Sequence, residues 1–101
     1  MTPYMTSPKL INIYRLLEDS GATVKCSELR VHLEELGYRI RDGKRAGHKI
    51  VTHSGLKDFY STSYNCGHGK NPQIKPGYIK NILKTIKFHE QALNDYLNEE
   101  G

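Results

Sequence analysis

The apolar residues of this chain follow two different periods, and the change of period separates helices from strands. Near the N-terminus, Ser7-Pro8 is typical of a helix cap followed by a proline in the first turn. The apolar residues that follow recur every three or four positions, at Leu10, Ile13, Tyr14 and Leu17. This spacing predicts a helix that ends near Gly21. A second series predicts another helix, through Cys26, Leu29, Leu33 and Leu36. Thr23 or Ser27 is available to cap it, and Gly37 to end it.

From residue 38 the period is two. Tyr38 and Ile40 alternate with Arg39 and Arg41, which predicts a strand with one buried face and one solvated face, and Asp42-Gly43 predicts the turn after it. Residues 48–53 are predicted to form the returning strand and residues 59–66 a third strand. Residues 67–72 are rich in glycine and polar, as loops are. Pro76 then opens a last helix, whose apolar positions are Ile79, Ile82, Leu83, Ile86, Leu93 and Leu97.

The predicted order is helix, three antiparallel strands and helix, preceded by an extra N-terminal helix. We therefore expect an α+β fold with helices on one face of a three-stranded antiparallel sheet, as in double-stranded-RNA-binding domains. The 101 residues suit one small domain with accessory elements. We assign residues 1–22 to an N-terminal extension with one helix, 23–87 to the α-β-β-β-α domain and 88–101 to a C-terminal helical extension.

Charge is distributed unevenly along the chain. The formal net charge is +4, yet residues 38–88 carry eleven Lys or Arg against only Asp42 and Asp58, a net of +9 that leaves −5 for the flanks. Such a basic segment attracts polyanions, RNA first among them, by releasing counterions. Two cysteines are too few for a disulfide framework, and we see neither an 18-residue apolar run nor a secretory leader. These features predict a soluble, cytoplasmic protein without a membrane partner.

Two histidines stand beside glycines within this basic segment, at Gly47-His48 and Gly67-His68. They are candidates for phosphate chemistry, although an isolated histidine on a small sheet is more often a hydrogen-bonded structural residue. A stripe of lysines on the last helix is open to two interpretations, a solvated face or phosphate contact. Zinc is a competing hypothesis for Cys66, His68 and His53, but their spacing completes no tetrahedral ligand set, and we expect no cofactor.

The order and spacing of several short motifs give the chain a family likeness. The motifs are, in chain order, Leu36-Gly37-Tyr38, Ala46-Gly47-His48-Lys49-Ile50, His68-Gly69, Lys75-Pro76-Gly77 and Ile82-Leu83-Lys84. With them, residues 25–86 resemble the HicA toxins of bacterial toxin–antitoxin systems. That family has a Leu-Gly-aromatic helix end, a Gly-Ser-His strand start, a His-Gly pair, and a Lys-Pro-Gly before a final helix with Ile-Leu-Lys. Two departures are the Ala46-Gly47 that replaces Gly-Ser, and the added segments at both ends.

The resemblance implies a toxin of a type II toxin–antitoxin system: a metal-independent endoribonuclease that cleaves mRNA and is held inactive by a HicB-like antitoxin. Position by position, it makes His48 the catalytic residue. Imidazole fits this role because it can take or give a proton near neutral pH. His68, His53 and Tyr64 are candidates for a second catalytic group, His68 foremost. RNA contacts are expected from Lys44, Arg45, Lys49, Lys70, Lys75, Lys80 and Lys84. The alternative is a non-catalytic RNA-binding module of the same fold.

Overall fold

The computed structural model describes residues 6–20, 23–59 and 61–100. These described residues form four helices and three strands in the order α1, α2, β1, β2, β3, α3, α4. The helices are α1 (Pro8–Ser20), α2 (Cys26–Glu35), α3 (Pro76–Phe88) and α4 (Glu90–Glu100). The strands are β1 (Arg39–Asp42), β2 (His48–Thr52) and β3 (Thr62–Asn65).

The three strands form one antiparallel sheet in the order β1-β2-β3. Side chains alternate between its two faces. Ile40, Val51 and Tyr64 point to the same side and are buried in the core that the helices complete. Residues of the other parity face away from the helices, so one face of the sheet is left open. The predicted α+β class, with a three-stranded antiparallel sheet, is confirmed.

The two N-terminal helices follow their sequence signals at the start of α1 and at the end of α2. Ser7 caps α1, its Oγ accepting the N–H of Leu10 at 3.3 Å. Helix α2 ends at the predicted glycine, Gly37, which has a φ of +95°. The predicted caps of α2 were wrong, because Lys25 occupies the cap position and its N–H is bonded to the Glu28 carboxylate at 2.9 Å. Gly21, where α1 was expected to end, lies outside the described residues.

Two boundaries in the second half of the chain differ from the prediction. Strand β3 covers four residues rather than 59–66. Phe59 closes a turn instead, because its N–H donates to the carbonyl of Leu56. Tyr60 lies outside the described residues. The last helix is interrupted at His89, which has φ −104° and ψ 19°. The His89 ring packs against Phe59 and Phe88, so a tertiary contact accompanies the break.

The terminal helices contribute to the same core as the sheet. Leu10 and Leu17 of α1 and Leu93 of α4 are fully buried in it. The side-chain oxygen of Asn94 accepts the N–H of Ser7 and so joins α4 to the start of α1. None of the helices in the described ranges combines the length and apolarity that crossing a membrane requires.

Candidate nucleic-acid interface

His48 is the first residue of β2 and points to the open face of the sheet. Its neighbour Lys49 and the buried Val51 have the opposite parity and face the helices. Directly after β1, the N–H of Gly43 donates to the His48 carbonyl at 2.8 Å. A Cβ at Gly43 would lie 2.3 Å from Nδ1 of His48, so the imidazole occupies space that only a glycine leaves free. The ring is therefore half-buried against the β1–β2 turn but reachable from the open face.

Polar groups surround His48 on this face. The register places Asn65 of β3 directly opposite His48, and Arg41 opposite Ile50, the next residue of β2 on this face. Arg41 is exposed, as is Arg39 two residues away. Neither Arg41 nor Asn65 was singled out from sequence. The alternation of Arg39 and Arg41 indicated a solvated face, but only the register shows that this is the face that carries His48.

The structure brings the two Gly-His pairs side by side. Gly47 has a φ of +79°, and a Cβ there would lie 2.6 Å from the carbonyl oxygen of Gly67. The N–H of Cys66 donates to the Gly47 carbonyl at 2.8 Å. The β1–β2 turn and the loop after β3 are therefore in direct backbone contact, and a larger residue at position 47 would separate them.

His48 and His68 nevertheless face different spaces. His68 is exposed and borders a cleft of about 740 Å³ on the α2 side of the sheet, and His48 is not among the residues that line it. The lining residues are Cys26, Ser27, Arg30, Ala46, Gly47, Lys49, Cys66, Gly67, His68, Gly69, Asn71 and Pro72. The contact between Gly47 and Gly67 thus forms a ridge, with the open face on one side and the cleft on the other.

Two cations of the cleft are already paired within the protein. The Lys49 ammonium donates to the Asp42 carboxylate, and that hydrogen bond together with the charge of Lys49 lowers the pKa of Asp42 below its ordinary value. Arg30 donates to the carbonyl of Ile40 at 3.1 Å and forms an ion pair with Glu34. Lys49 is therefore less available to a phosphate than the sequence suggested, and Arg30 is a cation that sequence reasoning overlooked.

The remaining predicted RNA contacts fall into two groups. Lys44 and Arg45 are exposed in the β1–β2 turn beside His48, and Lys70 is exposed in the loop after β3. Lys75, Lys80 and Lys84 are exposed at the cap and on the outer face of α3. That face points away from the core, so it belongs to the helical layer and not to the open face of the sheet.

Two of the candidates for a second catalytic group serve the core instead. His53 is 4% exposed. Its Nδ1 accepts the N–H of Gly55 and its Nε2 donates to the carbonyl of Leu36, each at 3.0 Å. Burial lowers the pKa of His53 below its ordinary value. Tyr64 is 1% exposed, faces the helices, and burial raises its pKa to about 12. Neither side chain can reach a ligand on the open face.

Cys26 and Cys66 form a disulfide that joins the start of α2 to the end of β3. The zinc hypothesis does not fit this arrangement, because the Cys66 sulfur is bonded and both ring nitrogens of His53 are engaged. Across the residues that the structure describes, no three His, Cys, Asp or Glu side chains are grouped as metal ligands would be. The two cysteines are too few for a framework, yet they make one bridge that the sequence did not predict.

Comparisons of the chain with protein-family models, with curated proteins and with solved structures find no match in any of the three.

Proposed function

We propose that this protein is the toxin of a type II toxin–antitoxin system, a HicA-like endoribonuclease that cleaves mRNA in the cytoplasm without a metal ion. One observation carries the proposal. His48 lies on an open, basic face of the sheet, with its ring packed against Gly43. Arg41 is on the same face, and Lys44 and Arg45 are exposed in the adjoining turn.

The chemistry needs little more than this arrangement. A base removes the proton of a ribose 2′-hydroxyl, the oxygen attacks the adjacent phosphorus, and the 5′-oxygen leaves after accepting a proton. His48 can perform either proton transfer because imidazole exchanges a proton near neutral pH. Arg41 and the two cations of the turn would bind the phosphate and stabilise the negative charge that develops on its oxygens.

The fold supports RNA as the substrate. An α+β domain that leaves one sheet face open offers a surface for a nucleic acid, and we propose that the arrangement is of the double-stranded-RNA-binding type. The net charge of +9 over residues 38–88 would hold the RNA backbone. A HicB-like antitoxin would then inhibit the protein by covering His48 and presenting acidic groups to the cations beside it.

A non-catalytic RNA-binding module of the same fold is the second candidate function. The observation that favours it is the position of the three candidates for a second catalytic group. His53 and Tyr64 are buried in the core, and His68 borders the cleft on the other side of the ridge. With a single imidazole on the open face, His48 would bind a phosphate or a base without cleaving RNA.

The test compares wild-type protein with His48→Ala and His68→Ala on mixed mRNA, with EDTA present. A general base or acid contributes roughly 10²–10⁴-fold to rate. We expect His48→Ala to lose at least about 100-fold in cleavage while its RNA affinity stays within about twofold. His32→Ala, a histidine on α2, is the matched control and should cleave like wild type.

The His68→Ala variant shows whether His68 takes part in cleavage. A loss of cleavage comparable to that of His48→Ala would make His68 the second catalytic group. If all four proteins bind RNA and none cleaves it, the endoribonuclease hypothesis is wrong and the RNA-binding module is the better description.

A further inference from the structure

Both ends of the loop after β3 are fixed to one residue of α2. We call residues 67–71 the glycine loop. At its start, Cys66 is joined to Cys26 by the disulfide, and at its end the N–H of Cys26 donates to the carbonyl of Pro72 at 2.9 Å. The next residue of α2 adds a third link, because the N–H of Ser27 donates to Oδ1 of Asn71 at 2.9 Å.

The glycine loop itself is open to solvent. Residues 67 to 71 are all exposed, and a Cβ at Gly67 or Gly69 would meet nothing within 4 Å. The backbone at Gly67, Gly69 and Asn71 has positive φ, at 79°, 99° and 50°. Within the loop, the N–H of Gly67 donates to Oδ1 of Asn65 at 2.7 Å. A segment this exposed keeps its shape mainly through its two ends, and Cys26 is linked to both of them.

The disulfide can be reached by a reductant. Both cysteines line the cleft of about 740 Å³, and Cys26 is only half-buried. Thiol–disulfide exchange requires a thiolate to approach one sulfur along the bond, and rates depend on that access. Cys26 is the more exposed residue of the two, so its sulfur is the expected point of attack.

We propose that the Cys26–Cys66 bond is a redox modification site that controls the glycine loop. A thiolate of a dithiol reductant attacks the Cys26 sulfur and forms a mixed disulfide, and Cys66 leaves as a thiolate that takes up a proton. The second thiol of the reductant then attacks the mixed disulfide and releases Cys26 as a thiol. Two electrons pass to the protein, and the reductant is left as a disulfide.

Reduction removes the covalent link between α2 and the start of the loop. The loop is then held by hydrogen bonds alone, from Cys66 to Gly47 at its start and from Cys26 and Ser27 at its end, and the bonds to α2 open more often. The loop carries both His68, which borders the cleft, and the exposed Lys70, so the positions of these two side chains become variable when the bond is broken. The consequence for RNA rests on the proposed function: the reduced protein binds RNA more weakly because a mobile Lys70 must be ordered on binding.

The experiment follows amide hydrogen exchange by NMR in oxidised protein and in protein reduced with dithiothreitol, without RNA. Thiol titration counts two free thiols after reduction. We expect the amides of Gly67 and Ser27 to lose roughly tenfold or more of their protection, and order parameters across residues 67–71 to fall below about 0.6. The amide of Gly43, which bonds the His48 carbonyl on the far side of β2, is the internal control and should keep its protection.

The double variant Cys26→Ser, Cys66→Ser should match the reduced protein in both buffers. Two titrated thiols with unchanged protection at Gly67 and Ser27 would overturn the proposal. Loss of protection at Gly43 as well would overturn it too, because the bond would then support the whole domain and not the loop.

RNA binding is measured separately, in the His48→Ala background, with oxidised and reduced protein. We expect the dissociation constant to rise roughly threefold or more on reduction. Equal affinity in both states would refute control of RNA binding by the loop. Absence of RNA binding in both states would contradict the proposed function alone, because the exchange data report on the loop without RNA.

Discussion

Gly47 lies against the backbone of Gly67, so close that a Cβ on Gly47 would be 2.6 Å from the Gly67 carbonyl oxygen. This contact joins the β1–β2 turn to the glycine loop and places two Gly-His pairs, twenty residues apart in the chain, side by side. It is also what separates the open face with His48 from the cleft with His68. The geometry of the candidate site therefore depends on a residue without a side chain.

Replacing Gly47 by Ala should destabilise the protein and disturb both faces of the ridge. The substitution adds a Cβ against backbone atoms and forces an L residue to a φ of +79°. We expect the free energy of unfolding to fall by about 1–3 kcal/mol, measured by urea denaturation. Gly77→Ala is the matched control, because Gly77 lies in the first turn of α3 with nothing within 4 Å of its Cβ position. Its stability should be unchanged or slightly higher, and equal losses in the two variants would contradict the close approach at Gly47.

Much of the fold is predictable from the sequence because local signals and burial agree. The 3.6-residue period identified α1, α2 and α3, and the alternation after residue 38 identified β1. The interruption at His89 was not predictable, since Ile86 and Leu93 continue the helical spacing across it. The break is accompanied by a contact with Phe59, which is distant in sequence and which no local pattern reports. The true cap of α2 was missed because Lys25 has no capping side chain, and the bond comes from Glu28 instead.

The candidate site is less predictable because it depends on register and on long-range pairing. Composition and motifs identified His48, His68 and the cations of the turn. They could not show that Lys49 faces the helices and pairs with Asp42, since an assignment of faces needs the register of β1 against β2. The bond between Cys26 and Cys66 spans 40 residues, and no local pattern reports such a contact.

The two arginines of β1 should differ in their effect on RNA. Arg41 lies opposite Ile50, close to His48, whereas Arg39 lies opposite Thr52 at the other end of β2. We expect Arg41→Ala to lower the cleavage rate by roughly tenfold or more, because it removes a charge near the developing oxyanion. Arg39→Ala serves as the control of equal charge and should cost about threefold or less. Single-turnover cleavage measures both, and equal effects would mean that the face acts only through its total charge.

The salt dependence of RNA binding should distinguish the turn from the helix. Each phosphate contact to single-stranded nucleic acid contributes about 0.7 to the slope of log K against log salt. We expect the pair Lys44→Ala, Arg45→Ala to reduce that slope by about 1.4, in the His48→Ala background that prevents cleavage. The pair Lys80→Ala, Lys84→Ala removes the same charge from the outer face of α3 and should change the slope by less than about 0.5. A larger change of slope in the Lys80→Ala, Lys84→Ala pair would indicate that RNA binds to the outer face of α3 and not to the open face of the sheet.

Stability should depend on pH through His53. Its neutral ring donates to Leu36 and accepts from Gly55, and burial lowers its pKa below the ordinary value of 6.5. The unfolded chain therefore binds this proton more readily than the folded one, so the free energy of unfolding is highest above pH 6.5 and falls as the pH drops below it. Urea unfolding followed by circular dichroism at pH 7, 6 and 5 measures this dependence.

Replacing His53 by Gln should remove most of this pH dependence. His53→Gln should be less stable at pH 7, by about 1–3 kcal/mol for the lost packing and hydrogen bonding, and should show a flatter dependence from pH 7 to 5. His32→Gln is the control, because that histidine is only half-buried on α2, and it should retain the dependence of wild type. A His53→Gln protein with the wild-type slope would assign the pH dependence to other groups.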